Sequence, residues 1–119
     1  MTDQTKIAVI GCGMWGRNII RNTAELGALA AVIDIDMARA TDFANQFDCD
    51  ALSLQDALQP DAISGLMIAT AAATHCPIAT TALQAGKHVF IEKPMAMSLA
   101  EATTIQTQAD SHNKQVMIG

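Results

Sequence analysis

Short apolar runs alternate with segments of helical spacing along the whole chain. Runs of mainly aliphatic residues predict buried strands at 6–10, 28–33, 62–69, 87–91 and 115–118. Apolar positions at helical intervals predict helices at 14–26, 37–47, 53–58, 74–85 and 98–111. Strands that are apolar on both faces and separated by helices are typical of a parallel sheet covered on both sides. The pattern therefore predicts a doubly wound α/β domain with its first strand central.

Local signals set the expected ends and inner faces of the helices. Gly27 and Gly86 are placed to end two of them, and Thr74 is expected to cap the fourth. Ser98 and Glu101 form a capping box for the fifth. The inner positions expected in the first helix are Trp15, Ile19, Ile20, Thr23 and Leu26.

Composition narrows the class of protein. Half of the 119 residues are hydrophobic, the formal net charge is −5, and the seven Lys and Arg residues are scattered. Nucleic-acid binding needs a concentrated basic patch, so we expect no nucleic-acid partner. The three cysteines lack the spacing of a disulfide framework or a zinc site, and we expect no metal. Residues 1–6 are polar and no run approaches the roughly 20 apolar residues that cross a bilayer, so we expect no membrane partner and a cytoplasmic setting.

Residues 11–16 read Gly-Cys-Gly-Met-Trp-Gly and match the dinucleotide-binding pattern G-x-G-x-x-G. The motif follows a predicted strand and opens a predicted helix, which is the context that the pattern requires. Gly11 permits the tight turn, Gly13 lets the backbone approach a pyrophosphate, and Gly16 lets the helix pack closely on its strand. Met14 and Trp15 complete the loop and are expected beside the cofactor.

Asp34 ends the second predicted strand, 18 residues after Gly16. An acid at this position accepts hydrogen bonds from the ribose hydroxyls of adenosine. Its charge would repel a 2′-phosphate, so NAD is favoured, while Arg39 keeps NADP as the lesser alternative. Two other interpretations stay open: a glycine turn with no ligand, and a site for S-adenosylmethionine, some of whose binders share a similar loop.

Lys93 follows the fourth predicted strand, between Glu92 and Pro94. At the carboxyl end of a parallel strand, its side chain would point into the crevice where ligands bind. There it could hydrogen-bond a sugar hydroxyl and assist proton removal, and a solvated strand-end lysine is the alternative. We expect Lys93 to be extended, because it precedes a proline, and the Lys93–Pro94 bond to be cis.

Three stretches resemble the N-terminal domain of the Gfo/Idh/MocA oxidoreductase family: GCGMWG at 11–16, ATAAATH at 69–75 and AGKHVFIEKP at 85–94. The resemblance implies NAD(P)-dependent oxidation or reduction of sugars and related polyols. It also implies that Lys93 is catalytic, that Glu92 lies near the nicotinamide ribose, and that Ala69 and Thr70 contact the cofactor. His75 is implied to line the nicotinamide pocket, with local packing at a helix start as the alternative.

A narrower resemblance rests on GMWGRN at 13–18 and AELGAL at 24–29. These stretches are similar to the branch of the family that oxidises the 3-hydroxyl of UDP-N-acetyl sugars. The family often has Tyr where Met14 stands and Pro where Ala71 stands. Both departures touch the cofactor pocket, and neither removes a catalytic group.

Members of this family carry the substrate on a second, sheet-rich domain, which usually also makes the oligomer contacts. The chain ends within its fifth predicted strand, so we expect 1–119 to be a Rossmann domain cut before that second domain. The resemblance implies a sugar or nucleotide-sugar substrate and a homo-oligomer, with Met95 and Met97 at an exposed interdomain surface. The alternatives are a regulatory module that binds dinucleotide without turnover, and an S-adenosylmethionine-dependent transferase.

Overall fold

The computed structural model describes residues 5–119; residues 1–4, which belong to the polar opening segment, lie outside the described part. Within it, six parallel strands form one sheet in the order β3-β2-β1-β4-β5-β6. The strands are β1 (Ile7–Ile10), β2 (Leu29–Ile33), β3 (Asp50–Ala51), β4 (Gly65–Ile68), β5 (His88–Ile91) and β6 (Val116–Ile118). The predicted doubly wound parallel sheet with a central first strand is confirmed.

Five α-helices cover the sheet within residues 5–119: α1 (Met14–Glu25), α2 (Met37–Phe47), α3 (Leu54–Ala57), α4 (His75–Gln84) and α5 (Leu99–Ser111). One core cluster joins α1 and α2 to the sheet through Ile20 and Phe43. The other cluster joins α3, α4 and α5 to the opposite face through Ala57, Leu83 and Ile105. The helices therefore lie on both faces, as a doubly wound sheet requires.

The strands are apolar at successive positions because both of their faces are buried. Ala8 and Ile10 belong to the cluster on the face of α3–α5, while Val9 between them belongs to the cluster on the face of α1 and α2. On β4, Leu66 belongs to the cluster on the face of α3–α5, and Met67 packs against the cluster on the face of α1 and α2. Successive side chains of a strand point to opposite faces, so a strand buried on both sides cannot alternate polar with apolar.

The inner face of α1 is narrower than predicted. Gly16, Ile20 and Thr23 are its buried residues, and they follow one another at intervals of four and three. Trp15 lies one residue outside this stripe and is 60% exposed, and Leu26 follows the end of α1 and is 82% exposed. The prediction of both as inner residues was wrong: one residue of displacement turns the Trp15 side chain by about 100° away from the stripe, and Leu26 lies beyond the last turn of the helix.

The sequence analysis missed β3, which is only two residues long and pairs with Ala31 and Val32 of β2. A run this short contains no periodic signal. The third predicted strand, at 62–69, was also too long, because β4 begins only at Gly65. Asp61 precedes it in a turn with a φ of +63°, and the N–H of Ala62 donates to the carbonyl of Gln59.

The Thr74 hydroxyl does not cap α4, contrary to the prediction. Thr74 ends a 3₁₀ turn at Ala72–Thr74, and its hydroxyl donates to the carbonyl of Ala71 at 2.6 Å. Ser98 does accept from the N–H of Glu101 at 3.2 Å, which confirms half of the predicted capping box of α5. The Glu101 carboxylate accepts instead from the N–H of Met97, one residue before the N-cap.

Lys87 is an unexpected buried charge, only 5% exposed at the amino end of β5. Its ammonium donates to the carbonyl of Gln59 at 3.0 Å, and burial lowers its pKa from the usual lysine value. Burial opposes the charged form, whereas the neighbouring Asp61 favours it. The bond joins the end of the sheet opposite the glycine loop to the turn before β4.

Candidate dinucleotide-binding site

The glycine loop turns from β1 into α1 with two positions that exclude a side chain. Gly11 has a φ of +102°, and a Cβ there would lie 2.5 Å from the carbonyl oxygen of Ala69. A Cβ on Gly16 would overlap the carbonyl oxygen of Gly11. Gly11 and Gly16 are therefore required by the close approach of α1, β1 and the segment after β4.

Gly13 differs from its two neighbours in the motif. Its φ of −78° is one that any residue adopts, and a Cβ there would meet nothing within 4 Å. No contact inside residues 5–119 explains a glycine at this position. The open space over the backbone at the start of α1 fits a group that approaches the free N–H donors closely, as a pyrophosphate does.

Asp34 lies directly after β2, beside this loop. One carboxylate oxygen accepts from the backbone N–H of Cys12 at 2.8 Å, and the other accepts from the N–H of Asp36 at 2.9 Å. Its side chain is only 7% exposed. A carboxylate offers about four acceptor positions, so the two backbone donors fix its orientation and leave acceptors on both oxygens for a ligand.

Arg39, on the first turn of α2, is the charged neighbour of Asp34. Its Nη1 lies 3.8 Å from the Asp34 carboxylate, and its side chain is 51% exposed. The long separation and the exposure make this a weak ion pair. The guanidinium can therefore leave Asp34 and turn towards a ligand.

A cleft of about 370 Å³ opens at the carboxyl ends of β1, β2 and β4, which is the point where the strand order reverses. Ligands of open parallel sheets bind at such a point. Five residues predicted to contact the cofactor line it: Gly11, Gly13, Asp34, Ala69 and Thr70. The other lining residues are Ile10, Ile35, Arg39, Ala71, Thr74 and Ile78.

Ile35 and Ile78 were missed as lining residues by the sequence analysis. Ile35 is a fully exposed aliphatic residue next to Asp34, and a large apolar side chain in water directly after a strand end is the signal that could have identified it. Ile78 comes from α4, and no local pattern brings it to the cleft.

A short relay of hydroxyl groups fixes the hydrogen bonding of Thr70. The single hydroxyl proton of Thr74 goes to the carbonyl of Ala71, so Thr70 must donate across the 2.6 Å contact between the two hydroxyls. The oxygen of Thr70 then remains as an acceptor. It suits a ligand group that donates, such as a sugar hydroxyl or an amide.

The remaining predicted residues lie outside the cleft lining. Met14 is 87% exposed and borders a neighbouring cavity of about 530 Å³ with Gly13 and Arg39. Trp15 borders neither cavity, and Gly16 is buried beneath the loop.

Glu92 and Lys93 directly follow β5. The N–H of Glu92 donates to the carbonyl of Ile68 at the end of β4, while the side chain of Lys93 is exposed. The Lys93–Pro94 bond is cis, as predicted.

His75 is 1% exposed at the start of α4 and does not line the cleft. Its Nδ1 lies 2.8 Å from the carbonyl oxygen of Pro94, and its Nε2 lies 3.0 Å from that of Thr70. The histidine thus joins the segment that contains Lys93 to the wall of the cleft.

Three further features of residues 5–119 concern a cysteine nucleophile, a metal site and a membrane-spanning helix. Burial raises the pKa of the Cys12 thiol to about 11, so this cysteine in the glycine loop is a neutral thiol and a poor nucleophile. The described residues contain no group of three or more His, Cys, Asp or Glu side chains arranged to hold a metal ion. Over the same residues, no helix is long and apolar enough to cross a membrane.

Comparison with known families agrees with this geometry. The model of the Gfo/Idh/MocA family, described as an oxidoreductase family with an NAD-binding Rossmann fold, matches residues 5–119. The chain belongs to this family, and the described residues are its NAD-binding Rossmann domain.

Dehydrogenases are among the individual relatives. The chain is 35% identical over 114 residues to the UDP-N-acetylglucosamine 3-dehydrogenase of Acidithiobacillus ferrooxidans, covering 96% of this chain and 36% of that enzyme. A solved structure of that enzyme superposes with a TM-score of 0.92 at 31% identity, over 99% of this chain and 37% of the other. A protein of gentamicin A biosynthesis, solved in complex with NAD, superposes with a TM-score of 0.88 at 29% identity. The match covers 100% of this chain and 35% of that protein. The chain thus spans about a third of the length of these relatives.

The glycine loop yields the first prediction. Gly16→Ala should destabilise the fold by about 1–3 kcal/mol or more, because the new methyl group overlaps backbone. Gly13→Ala should leave the free energy of unfolding nearly unchanged, because the added methyl group meets no protein atom. The same variant should weaken NADH binding at least about tenfold, or about 1.4 kcal/mol. Urea unfolding and calorimetric NADH titration test both, and full NADH affinity in Gly13→Ala would contradict the role of Gly13.

The second prediction concerns Asp34. Asp34→Ala should weaken NAD(H) binding by about 1–3 kcal/mol, the cost of leaving hydrogen-bonding groups unpaired at a charged acceptor. Asp36→Ala is the matched control, because it removes a nearby carboxylate that caps α2 and does not line the cleft. Titration of the two variants with NADH and NADPH should show a loss of the preference for NADH only for Asp34→Ala. Equal NADH affinity in both variants would remove Asp34 from the site.

Proposed function

We propose that this chain is the cofactor-binding part of a dehydrogenase that transfers a hydride between a sugar or nucleotide-sugar hydroxyl and NAD. The observation that carries the proposal is the pairing of Asp34 with the open backbone at Gly13 in one cleft. The acid accepts hydrogen bonds from hydroxyl groups, and the free N–H groups at the start of α1 donate to an anion. The ribose hydroxyls and the diphosphate of an adenosine diphosphate unit are groups of these two kinds.

In this proposal, different residues around the cleft contact different parts of the cofactor. Gly11, Gly13 and Gly16 shape the pyrophosphate cradle, with Met14 and Trp15 at its outer edge. Asp34 holds the adenosine ribose, and the exposed Ile35 packs against the adenine. Ala69 and Thr70 lie along the path towards the nicotinamide, with Thr70 accepting from a donor group of the cofactor. Glu92 contacts the nicotinamide ribose.

Lys93 supplies the acid–base chemistry. It is exposed at the same carboxyl edge of the sheet as the cleft, and its amino group can hydrogen-bond the reacting hydroxyl of the substrate. When bound, NAD supplies the hydride acceptor at its nicotinamide ring. In its uncharged amine form, Lys93 accepts the hydroxyl proton as the hydride passes to the nicotinamide, and the ammonium so formed returns the proton in the reverse direction.

The substrate in this proposal is a UDP-N-acetyl sugar, oxidised at its 3-hydroxyl. Support comes from the similarity to the Acidithiobacillus ferrooxidans enzyme and from a second structure, the WlbA dehydrogenase of Chromobacterium violaceum solved with NADH and UDP-GlcNAcA. The latter superposes with a TM-score of 0.91 at 27% identity, over 100% of this chain and 36% of the other. A further domain would hold this sugar, so residues 1–119 alone are expected to bind cofactor without turnover.

A stand-alone dinucleotide-binding module is the second candidate. The glycine loop, Asp34 and Thr70, which would contact the dinucleotide in either case, all line one cleft of this chain. Formation of a sugar ketone by the full-length protein would favour the dehydrogenase over the stand-alone module.

The S-adenosylmethionine-dependent transferase is withdrawn, because the family match is to an NAD-binding fold. A cytoplasmic location agrees with the three free cysteines.

The third prediction tests Lys93 in the full-length enzyme that this domain would serve. Lys93→Ala should lower kcat by about 10²-fold or more, the usual scale for a positioned acid–base group. Lys114→Ala, beside β6, is the matched control and should change neither kcat nor the Kd of NADH. Steady-state kinetics and NADH titration are the measurements. Lost NADH affinity with the remaining chemistry intact would make Lys93 a cofactor anchor, and the catalytic assignment would be withdrawn.

The fourth prediction follows from a proposed homo-oligomer. Among residues 5–119, β6 is paired only with β5, so its outer edge offers backbone donors and acceptors to a second copy. Met97, Leu99 and Met117 are large apolar side chains that are more than half exposed. Light scattering of the 119-residue chain should therefore show concentration-dependent dimers, and Met117→Lys should weaken them. Met37→Lys, on α2 beside the opposite edge strand β3, is the control, and a strictly monomeric wild type at high concentration would refute the proposal.

A further inference from the structure

The imidazole of His75 is held between two groups that can only accept hydrogen bonds. Its ring is 1% exposed, with Nδ1 2.8 Å from the carbonyl oxygen of Pro94 and Nε2 3.0 Å from the carbonyl oxygen of Thr70. Both distances are those of good hydrogen bonds. The two partners lie on different segments, one after β4 and one after β5.

The protonation state of the ring follows from this pairing. A neutral imidazole has one N–H donor and one bare nitrogen, so either tautomer would leave a lone pair facing a carbonyl oxygen at close range. An imidazolium donates at both nitrogens and satisfies both carbonyls. We infer that His75 is an imidazolium that bridges Thr70 and Pro94, and that it is a positioning residue for Lys93.

Two effects oppose a cation at this place. His75 is the first residue of α4, where the helix dipole disfavours positive charge, and burial removes the ring from water. The net contribution of a hydrogen bond to a charged group already includes the loss of water, and two such bonds outweigh the dipole effect of a helix end. The charged residues on neighbouring segments are Glu92 and Lys93 after β5 and Glu101 on α5, whose carboxylate accepts from the N–H of Met97.

The bridge has a direct consequence for the site. Thr70 lies on the wall of the cleft, and Pro94 directly follows Lys93. A rigid link between the carbonyls of Thr70 and Pro94 fixes the distance between the wall of the cleft and Lys93. This role rests on the proposed function of Lys93, whereas the charge on the ring does not. It also explains why His75 is absent from the cleft lining: both of its nitrogens are used inside the protein.

The fifth prediction is a spectroscopic signature in the 119-residue chain without cofactor. Nitrogen-15 spectra at neutral pH should show both ring nitrogens of His75 protonated, with couplings across hydrogen bonds to the carbonyl carbons of Thr70 and Pro94. His88→Gln and His112→Gln remove the two exposed histidines, so the remaining ring is assigned without altering His75. An unprotonated ring nitrogen on His75, in the double variant or in the wild-type chain, would overturn the inference.

The positioning role is tested with His75→Phe, which keeps the ring and removes both donors. The carbonyl carbon resonances of Thr70 and Pro94 should move together, while those of distant residues such as Ser53 stay. In the full-length enzyme, kcat should fall about tenfold while the Kd of NADH changes less than about threefold. Unmoved resonances, or an unchanged kcat, would reduce His75 to core packing. If the signature is present but NADH does not bind the wild type, the proposed function fails and the charged bridge stands.

Discussion

The close approach of α1 to the ends of β1 and β4 is the constraint on which the site depends. It holds because Gly11 and Gly16 have no side chains, and it brings the free N–H groups of α1 to the cleft. The same loop directs the Cys12 N–H at Asp34, 22 residues away. Backbone packing therefore builds the proposed phosphate cradle and also orients the acid, and a change at either glycine would disturb both.

The features that could be predicted from the sequence are those specified by residues close together along the chain. The strand-to-helix context of Gly11–Gly16 and the position of Asp34 after β2 are set by local patterns, and the structure has both. The features that were missed depend on contacts between distant segments. Burial of Lys87 needs the turn at Gln59, and the two residues of β3 form a strand only because β2 lies beside them.

His75 illustrates the same limit within the site. The resemblance implied a residue that lines the nicotinamide pocket, and the motif ATAAATH alone cannot decide where the ring points. Its orientation is set by the carbonyl of Pro94, 19 residues further along the chain. A polar residue at the start of a helix can face solvent, a ligand or the interior, and only the partner on another segment distinguishes these cases.

The site thus has two parts, and the His75 side chain joins them. The cleft that fits a dinucleotide is built from β1, β2, β4 and the residues that follow them, and all of its lining lies before Lys87. The segment with Lys93 lies beyond that lining and contacts it through His75 and through the N–H of Glu92 on Ile68. Under the proposed function, cofactor binding and proton transfer can therefore be separated by mutation. A variant that loosens the His75 bridge should leave the first in place and impair the second, since the Asp34 and glycine-loop contacts do not pass through the imidazole.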